Sequence, residues 1–254
     1  MLAALLEIVP AGLEQVEGGE WVEFAVYGAP GELPSLPEGE ADVGGVRVVV
    51  RGEPVPDDWA ERWKRFHVPV LIGGKLWVRP PWEQEAMRPG VHEIVIDPGQ
   101  AFGTGTHPTT RLCLELLLEL EPGGGLADLG CGSGVVAIAG AQLGWEPVYG
   151  LDFDERSVAA TERNAQRNGV AVRAVLADLR EIPAPPAHTL VANIPLDVHE
   201  RVAGSLSPAT ARVIVSGITA SQEEATTAAY GRAGLTLRGR RVAGGWAALW
   251  LERA

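Results

Sequence analysis

Apolar and polar positions follow two different periods along this chain, and the change of period divides it. Up to about residue 53 the apolar residues fall in short alternating runs, such as Trp21-Val22-Glu23-Phe24-Ala25-Val26-Tyr27 and Val46-Arg47-Val48-Val49-Val50. That is the period of half-buried strands. A segment near Pro10 to Val16 reads as a short helix, and the stretch between the strands is turn-rich, with Gly28, Pro30, Gly31, Pro34, Pro37 and Gly39. A small α+β domain is expected there. Gly52-Glu53-Pro54-Val55-Pro56-Asp57-Asp58 is a linker by composition. Asp57 or Asp58 then caps a helix bearing Trp59, Trp63 and Phe66 at i, i+4 and i+7. This aromatic stripe packs the helix onto its own chain, serves as a hinge or substrate-facing spacer between domains, or does both.

Strands are expected at about Pro69 to Ile72, Leu76 to Arg79 and Glu93 to Ile96. From Pro108 onward strands (near 125–129, 146–152, 172–177, 188–193 and 211–217) alternate with helices (near 108–120, 133–143, 155–168, 196–205 and 219–231). This alternation predicts a parallel sheet covered on both faces. Leu235-Thr236-Leu237-Arg238 and Trp246 to Leu251 flank a turn at Gly244-Gly245, too close together for a crossover helix. They are expected to pair as an antiparallel hairpin. The organisation is therefore a small domain over residues 1–53, a linker helix over 54–66, and an α/β domain over 67–254.

A length of 254 residues accommodates this arrangement. The formal charge of -12 argues against non-specific binding to nucleic acid and is compatible with a basic protein partner. The two cysteines, Cys113 and Cys131, make neither a disulfide framework nor a zinc pattern, which suits a reducing cytoplasm. Five scattered histidines show no metal spacing. The first seven residues, ending in Glu7, lack the basic segment of a secretory signal, and no run of about 18 apolar residues predicts a membrane span.

The chemistry gathers at Asp128-Leu129-Gly130-Cys131-Gly132-Ser133-Gly134, a strand end followed by glycine at every second position and then an apolar helix. Glycine permits a tight turn and close approach of a ligand. A dinucleotide turn reads G-x-G-x-x-G, and its third glycine would stand where this chain has Val135. D-x-G-x-G-x-G instead resembles motif I of S-adenosylmethionine-dependent methyltransferases. An acid at Asp128 repels a pyrophosphate and suits a ligand bearing an ammonium group. Asp152 ends the next strand, where a carboxylate accepts both ribose hydroxyls, a feature that NAD enzymes share. Asp178, after the third strand, is either a plain loop acid or, by resemblance, the neighbour of the adenine amino group.

Asn193-Ile194-Pro195-Leu196 ends the fourth strand. It is similar to the Asn-Pro-Pro-Tyr motif of amino-group methyltransferases, in which the Asn side chain and the following carbonyl accept hydrogen bonds from the substrate nitrogen. The plain alternative is a good turn former. The aromatic fourth residue of that motif is Leu196 here, which points to an aliphatic amine rather than a flat base.

In the loop Asp97-Pro98-Gly99-Gln100-Ala101-Phe102-Gly103-Thr104-Gly105-Thr106-His107-Pro108-Thr109-Thr110, Pro108 suits a first helical turn with Thr106 or His107 near the N-cap. The exposed N–H groups and the hydroxyls of Thr106, Thr109 and Thr110 predict an anion site, for which the carboxylate of a methionine moiety is the candidate. Phe102 is placed to lie over a cofactor or to close the site.

This loop, the glycine turn, Asp152 and Asn193-Ile194 closely resemble the PrmA family, which methylates large-subunit ribosomal protein eleven. The resemblance covers roughly residues 57 to 254, and the region Trp59 to Trp82 resembles that family's joint between domains. It implies a class I S-adenosylmethionine-dependent methyltransferase fold, Rossmann-like and mostly parallel with one antiparallel strand. It also implies a substrate-recognition role for residues 1–53 and S-adenosylmethionine as cofactor. The residues implied to hold the cofactor are Phe102, Thr106, His107, Thr110, Gly130, Gly132, Asp152, Asp178 and Asn193, with Asn193 also catalytic. The implied activity is trimethylation of the N-terminal α-amine and lysine side chains of that ribosomal protein, free or on the ribosome, by a cytoplasmic monomer. A NAD-dependent dehydrogenase and a catalytically silent cofactor-binding module are the rival readings.

Overall fold

The computed structural model describes residues 14–17, 22–25, 39–43, 45–51, 67–83, 89–98 and 105–253. The chain divides into two compact units, Met1–Ala60 and Glu61–Ala254. In the first unit, β1 (Glu14–Glu17) pairs antiparallel with β2 (Val22–Ala25), and β3 (Gly39–Val43) pairs antiparallel with β4 (Val46–Val50). Gly45, at φ 79°, turns the second hairpin and donates its N–H to Asp42 Oδ1 at 2.9 Å. The helix expected near Pro10 to Val16 is corrected over its described part. Residues 14–16 lie in a strand because their backbone pairs with β2, a partner that local periodicity does not reveal. The linker helix with Trp59, Trp63 and Phe66 lies outside the described residues.

In the second unit, β5 (Val70–Ile72), β6 (Leu76–Arg79) and β7 (His92–Val95) form a sheet of their own. Gly73 and Gly74, at φ 55° and 68°, make the β5–β6 turn. The main sheet has seven strands: β8 (Leu126–Leu129), β9 (Val148–Asp152), β10 (Arg173–Leu176), β11 (Thr189–Asn193), β12 (Arg212–Thr219), β13 (Leu235–Ala243) and β14 (Trp246–Arg253). Their order is β10-β9-β8-β11-β12-β14-β13. The pairs from β10 to β12 are parallel, and β14 runs antiparallel to both of its neighbours. The chain leaves β8 in one direction and β11 begins the other half, so a switch of strand order falls between them, where ligands of open α/β sheets bind.

Among the described residues five helices accompany this sheet: α1 (Pro108–Leu117), α2 (Val135–Leu143), α3 (Glu155–Arg167), α4 (Leu196–Gly204) and α5 (Glu223–Arg232), the last preceded by the 3-10 turn Ala220–Gln222. One core cluster joins Leu112, Leu114, Leu116 and Leu117 of α1 and Val135 to Ala139 of α2 to Ile72, Leu76, Val78 and Ile94 of the small sheet. A second cluster joins Val198 and Val202 of α4 and Ala229 and Tyr230 of α5 to Leu190, Val213 and Leu249 of the main sheet. Strands β8 and β11, covered on both faces, are buried along nearly their whole length, including the polar Asp128 and Thr189. Among the described residues, no helix is long and apolar enough to cross a membrane.

Candidate active site

The carboxyl ends of β8, β9, β10 and β11 meet around the glycine turn. Gly130, Gly132 and Gly134 have φ of 73°, 53° and 83°, values an L side chain rarely adopts. The turn is drawn onto β9, where the N–H groups of Gly130 and Cys131 both donate to the Leu151 carbonyl at 2.8 and 2.9 Å. A Cβ on Gly130 would stand 2.7 Å from Ile194 Cγ2, so this glycine also lets the turn approach the end of β11.

Asp152, 8% exposed, faces the turn. Its Oδ2 accepts the Gly132 N–H at 3.0 Å and its Oδ1 accepts the Asp154 N–H at 3.0 Å. Each carboxylate oxygen keeps a further lone pair, so the pair remains an acceptor for a vicinal diol. Asp178 Oδ1 accepts the Arg180 N–H at 2.8 Å, and Asp178 stays half-buried beyond the end of β10.

Asp128 departs from the expectation of an acid offered to a ligand. It is 2% exposed, and its Oδ2 accepts the Ala137 N–H at 3.1 Å, below the start of α2. Burial, with the Asp152 charge adding to it, pushes its carboxyl up to about 7 against the opposing Ala137 hydrogen bond. This acid occupies a free N–H of the helix terminus on which a dinucleotide enzyme seats its pyrophosphate.

At the start of α1, Pro108 is the first helical residue and His107 the N-cap. His107 Nδ1 accepts the Thr109 N–H at 3.3 Å and lies 2.8 Å from Thr109 Oγ1, while its ring meets Trp246 edge-on at 5.5 Å. Burial lowers its pKa. Thr109 and Thr110 are 2% and 1% exposed, and Thr110 Oγ1 accepts from Asn193 Nδ2 at 3.5 Å. The hydroxyls of Thr109 and Thr110 thus already meet partners of the chain, His107 Nδ1 and Asn193 Nδ2. Thr106 is half-buried, and Phe102 lies outside the described residues.

Asn193, half-buried at the end of β11, is brought beside Thr110, and its neighbour Ile194 beside Gly130. With its amide N–H directed to Thr110, the Asn193 side-chain oxygen is left as an acceptor. Asp152, Gly132 and Asn193 therefore converge on one strand-end edge.

Two residues that hold this edge escaped the sequence reading. Thr161 Oγ1 donates to the Gly132 carbonyl at 3.0 Å, and Asn164 Nδ2 donates to the Ser133 carbonyl at 2.9 Å. Asn164 Oδ1 also accepts the Asp97 N–H at 3.0 Å, tying the loop entrance to the turn. Ser157, Thr161 and Asn164 are polar yet buried at i, i+4 and i+7 of α3, a pattern visible in the sequence as polar residues on the core stripe.

The site fits a nucleoside cofactor lacking phosphates, since Asp152 offers ribose acceptors while Asp128 takes up an N–H in the first turn of α2. Among the described residues, no group of three His, Cys, Asp or Glu stands where it could hold a metal ion.

The family described as "Ribosomal protein L11 methyltransferase (PrmA)" matches residues 43–254. A relative of that description from Symbiobacterium thermophilum is 42% identical over 198 residues, 76% of this chain and 65% of the relative. The chain thus spans about two thirds of that relative's length. One from Alteromonas mediterranea is 35% identical over 237 residues, 89% of this chain and 80% of the relative. The crystal structure of a ribosomal protein L11 methylase from Lactobacillus delbrueckii subsp. bulgaricus superposes with a TM-score of 0.66 at 28% identity, over 74% of this chain and 99% of that one. The match over five sixths of the chain, and a sheet with one antiparallel strand, agree with the class I methyltransferase fold: this chain belongs to the ribosomal protein L11 methyltransferase family.

Proposed function

We propose that this chain is an S-adenosylmethionine-dependent N-methyltransferase that trimethylates the N-terminal α-amine and lysine side chains of large-subunit ribosomal protein eleven. The observation that carries this reading is Asn193, whose side-chain oxygen stands as an acceptor beside the glycine turn while its amide is engaged by Thr110. An acceptor at that place takes a hydrogen bond from an amine N–H and so directs the nitrogen lone pair. The cofactor is held by Gly130 and Gly132, by Asp152 at the ribose, by Asp178 at the adenine, by Thr106, His107 and Thr110 around the α1 terminus, and by Phe102. S-adenosylmethionine supplies an electrophilic methyl group on a sulfonium. The chain's own contribution is positioning, which removes much of the entropic barrier to an in-line displacement.

The nucleophile must be a neutral amine. At pH ~7.4 an α-amine of pKa ~8 costs under about 1 kcal/mol to deprotonate, and a lysine of pKa ~10.4 costs about 4 kcal/mol. His199, the buried histidine nearest in sequence to Asn193, has both ring nitrogens bonded within the chain and is unsuited to act as base. Transfer without a dedicated base accords with this. Residues 1–53 serve as the recognition segment, 54–66 as linker and 67–254 as catalytic domain. The formal charge of -12 favours a basic protein substrate.

The test is transfer of labelled methyl groups from S-adenosylmethionine into ribosomes and free ribosomal proteins from cells lacking this activity. Label is expected in one large-subunit protein, at its N-terminus and at lysines. Label in RNA, or in no protein, overturns the reading.

A further inference from the structure

Behind the Asn193 turn lies a buried polar network that the mechanism above does not use. His199, on the inner face of α4, and Tyr230, on α5, are both fully buried. His199 Nε2 lies 2.8 Å from the Ser216 carbonyl oxygen, and Nδ1 lies 3.0 Å from the Tyr230 hydroxyl. A carbonyl only accepts, so Nε2 carries the proton and donates it. Burial pushes the imidazole down to about 4, against the bonds to Ser216 and Ile194, so the ring is neutral at physiological pH. Nδ1 is then an acceptor, and Tyr230 donates its hydroxyl proton to it. One tautomer satisfies both the Ser216 carbonyl and the Tyr230 hydroxyl.

The Ser216 carbonyl is shared, because the Ile194 N–H also donates to it at 3.2 Å. Ser216 stands opposite Asn193 in the β11–β12 register, and its own hydroxyl donates to the Ala247 carbonyl of β14 at 2.9 Å. It lies where the β12–β14 pairing shifts register, between Val215 and Ile218. Gly217 sits in that irregularity at φ 80°, where a Cβ would lie 2.5 Å from the Ile194 carbonyl oxygen. The bulge is thereby pressed against the backbone of the residue that follows Asn193. An apolar pair would fill the space between α4 and α5, whereas a donor aimed at the Ser216 carbonyl adds a directional hold, beside the Ile194 N–H, on the bulge and on the turn leaning on it.

We propose that His199 is a positioning residue for methyl transfer: through the Ser216 carbonyl it fixes the Asn193-Ile194-Pro195 turn at the point where the substrate amine is received. This rests on the amine-methyltransferase reading above. It deepens that reading by naming a residue that touches neither cofactor nor substrate.

The test compares His199→Phe with the double variant His199→Phe/Tyr230→Phe. The single change strands the Tyr230 hydroxyl in the core, and the double change removes both polar partners, which restores much of the lost stability. Three quantities are read on the full chain: Tm, S-adenosylhomocysteine affinity by calorimetry, and hydrogen exchange of the Asn193 and Ile194 amides. A fourth is kcat for a ribosomal protein substrate. Expected are a Tm that recovers in the double variant and cofactor-product affinity within about twofold of the parent. The turn amides should exchange about tenfold faster and kcat should fall about tenfold or more in both variants, the scale of a small misplacement of reacting groups. If kcat and amide protection recover together with Tm, His199 is only a packed core residue and the proposal is overturned. If the parent protein itself transfers no methyl group, the amine-methyltransferase reading fails. The exchange measurement then stands alone, and unchanged protection of Ile194 overturns the positioning role.

Discussion

Thr110 Oγ1 and Asn193 Nδ2 lie 3.5 Å apart, joining the first turn of α1 to the end of β11 across 83 residues of sequence. The contact turns the Asn193 amide so that its oxygen points away from Thr110. Asn193→Ala is expected to lower kcat about a hundredfold, the scale of losing a positioned transition-state hydrogen bond. S-adenosylhomocysteine affinity should stay within a few-fold. Thr110→Val keeps the shape and loses the hydroxyl, and a drop of roughly tenfold is expected because the amide is only released, not removed. Steady-state kinetics with calorimetry separates the two. Equal losses of affinity and kcat would place Asn193 in cofactor binding alone.

Asp152 has two tasks, holding the glycine turn through Gly132 and offering acceptors at its outer face. Asp152→Ala should weaken S-adenosylhomocysteine binding by about 30- to 100-fold, corresponding to roughly 2–3 kcal/mol for bonds to a charged acceptor. Calorimetry also discriminates cofactors, since NAD is expected not to bind the parent protein. Binding of NAD would restore the dehydrogenase reading.

Two glycines with similar φ should respond very differently to alanine. Gly169, at φ 65° beyond the end of α3, has nothing within 4 Å of a built Cβ, so Gly169→Ala pays only the left-handed backbone cost of about 1 kcal/mol. Gly217→Ala adds a clash with the Ile194 backbone and should cost more than about 3 kcal/mol. Urea denaturation measures both, and similar midpoints would mean that β12 yields at the bulge.

Asp128 links stability to pH. Its carboxyl titrates at about 7 in the folded chain against 3.8 as the ordinary value, so between these values the native state holds the extra proton. Stability from this group therefore falls as pH rises from about 4 to about 7. His199 acts in the opposite sense, because its folded pKa of about 4 lies below 6.5, and its contribution is lost as pH falls through that window. The two overlap, so the informative quantity is the difference between the parent and Asp128→Asn. That difference should shift in favour of the variant by on the order of 4 kcal/mol between pH 4 and pH 8. A flat difference curve would show that Asp128 is ionised throughout.

The substrate amines carry their own pH signature. With a peptide bearing both groups, the lysine rate should rise with pH across about 7 to 9.5 more steeply than the α-amine rate, because their pKa values of ~10.4 and ~8 bracket that range. Identical profiles would point to an enzymic base that deprotonates both.

The alternation of strands and helices from Pro108 onward, the closing hairpin, the glycine turn and the acid at Asp152 were all legible in the sequence. Each is a local property: hydrophobic period, the φ demanded of a glycine, a carboxylate at a strand end. The family likewise showed in the continuous stretch Asp97 to Thr110. Local pattern failed wherever a partner far along the chain decided the outcome. Residues 14–16 read as helix and pair as strand with β2, and β5, β6 and β7 gave no sign that they form a sheet separate from β8. Asp128 read as an acid offered to a ligand because spacing says nothing of depth, and packing of α2 over β8 buries it. Thr110 meets Asn193, Asn164 grips Ser133, and His199 reaches Ser216 only because helices from different parts of the chain dock on one sheet. Sequence determined the elements and the residue types at their ends. Which side chains meet there, which tautomer each adopts and which oxygen is left to receive a substrate were decided by tertiary packing, because those contacts join positions that no local period connects.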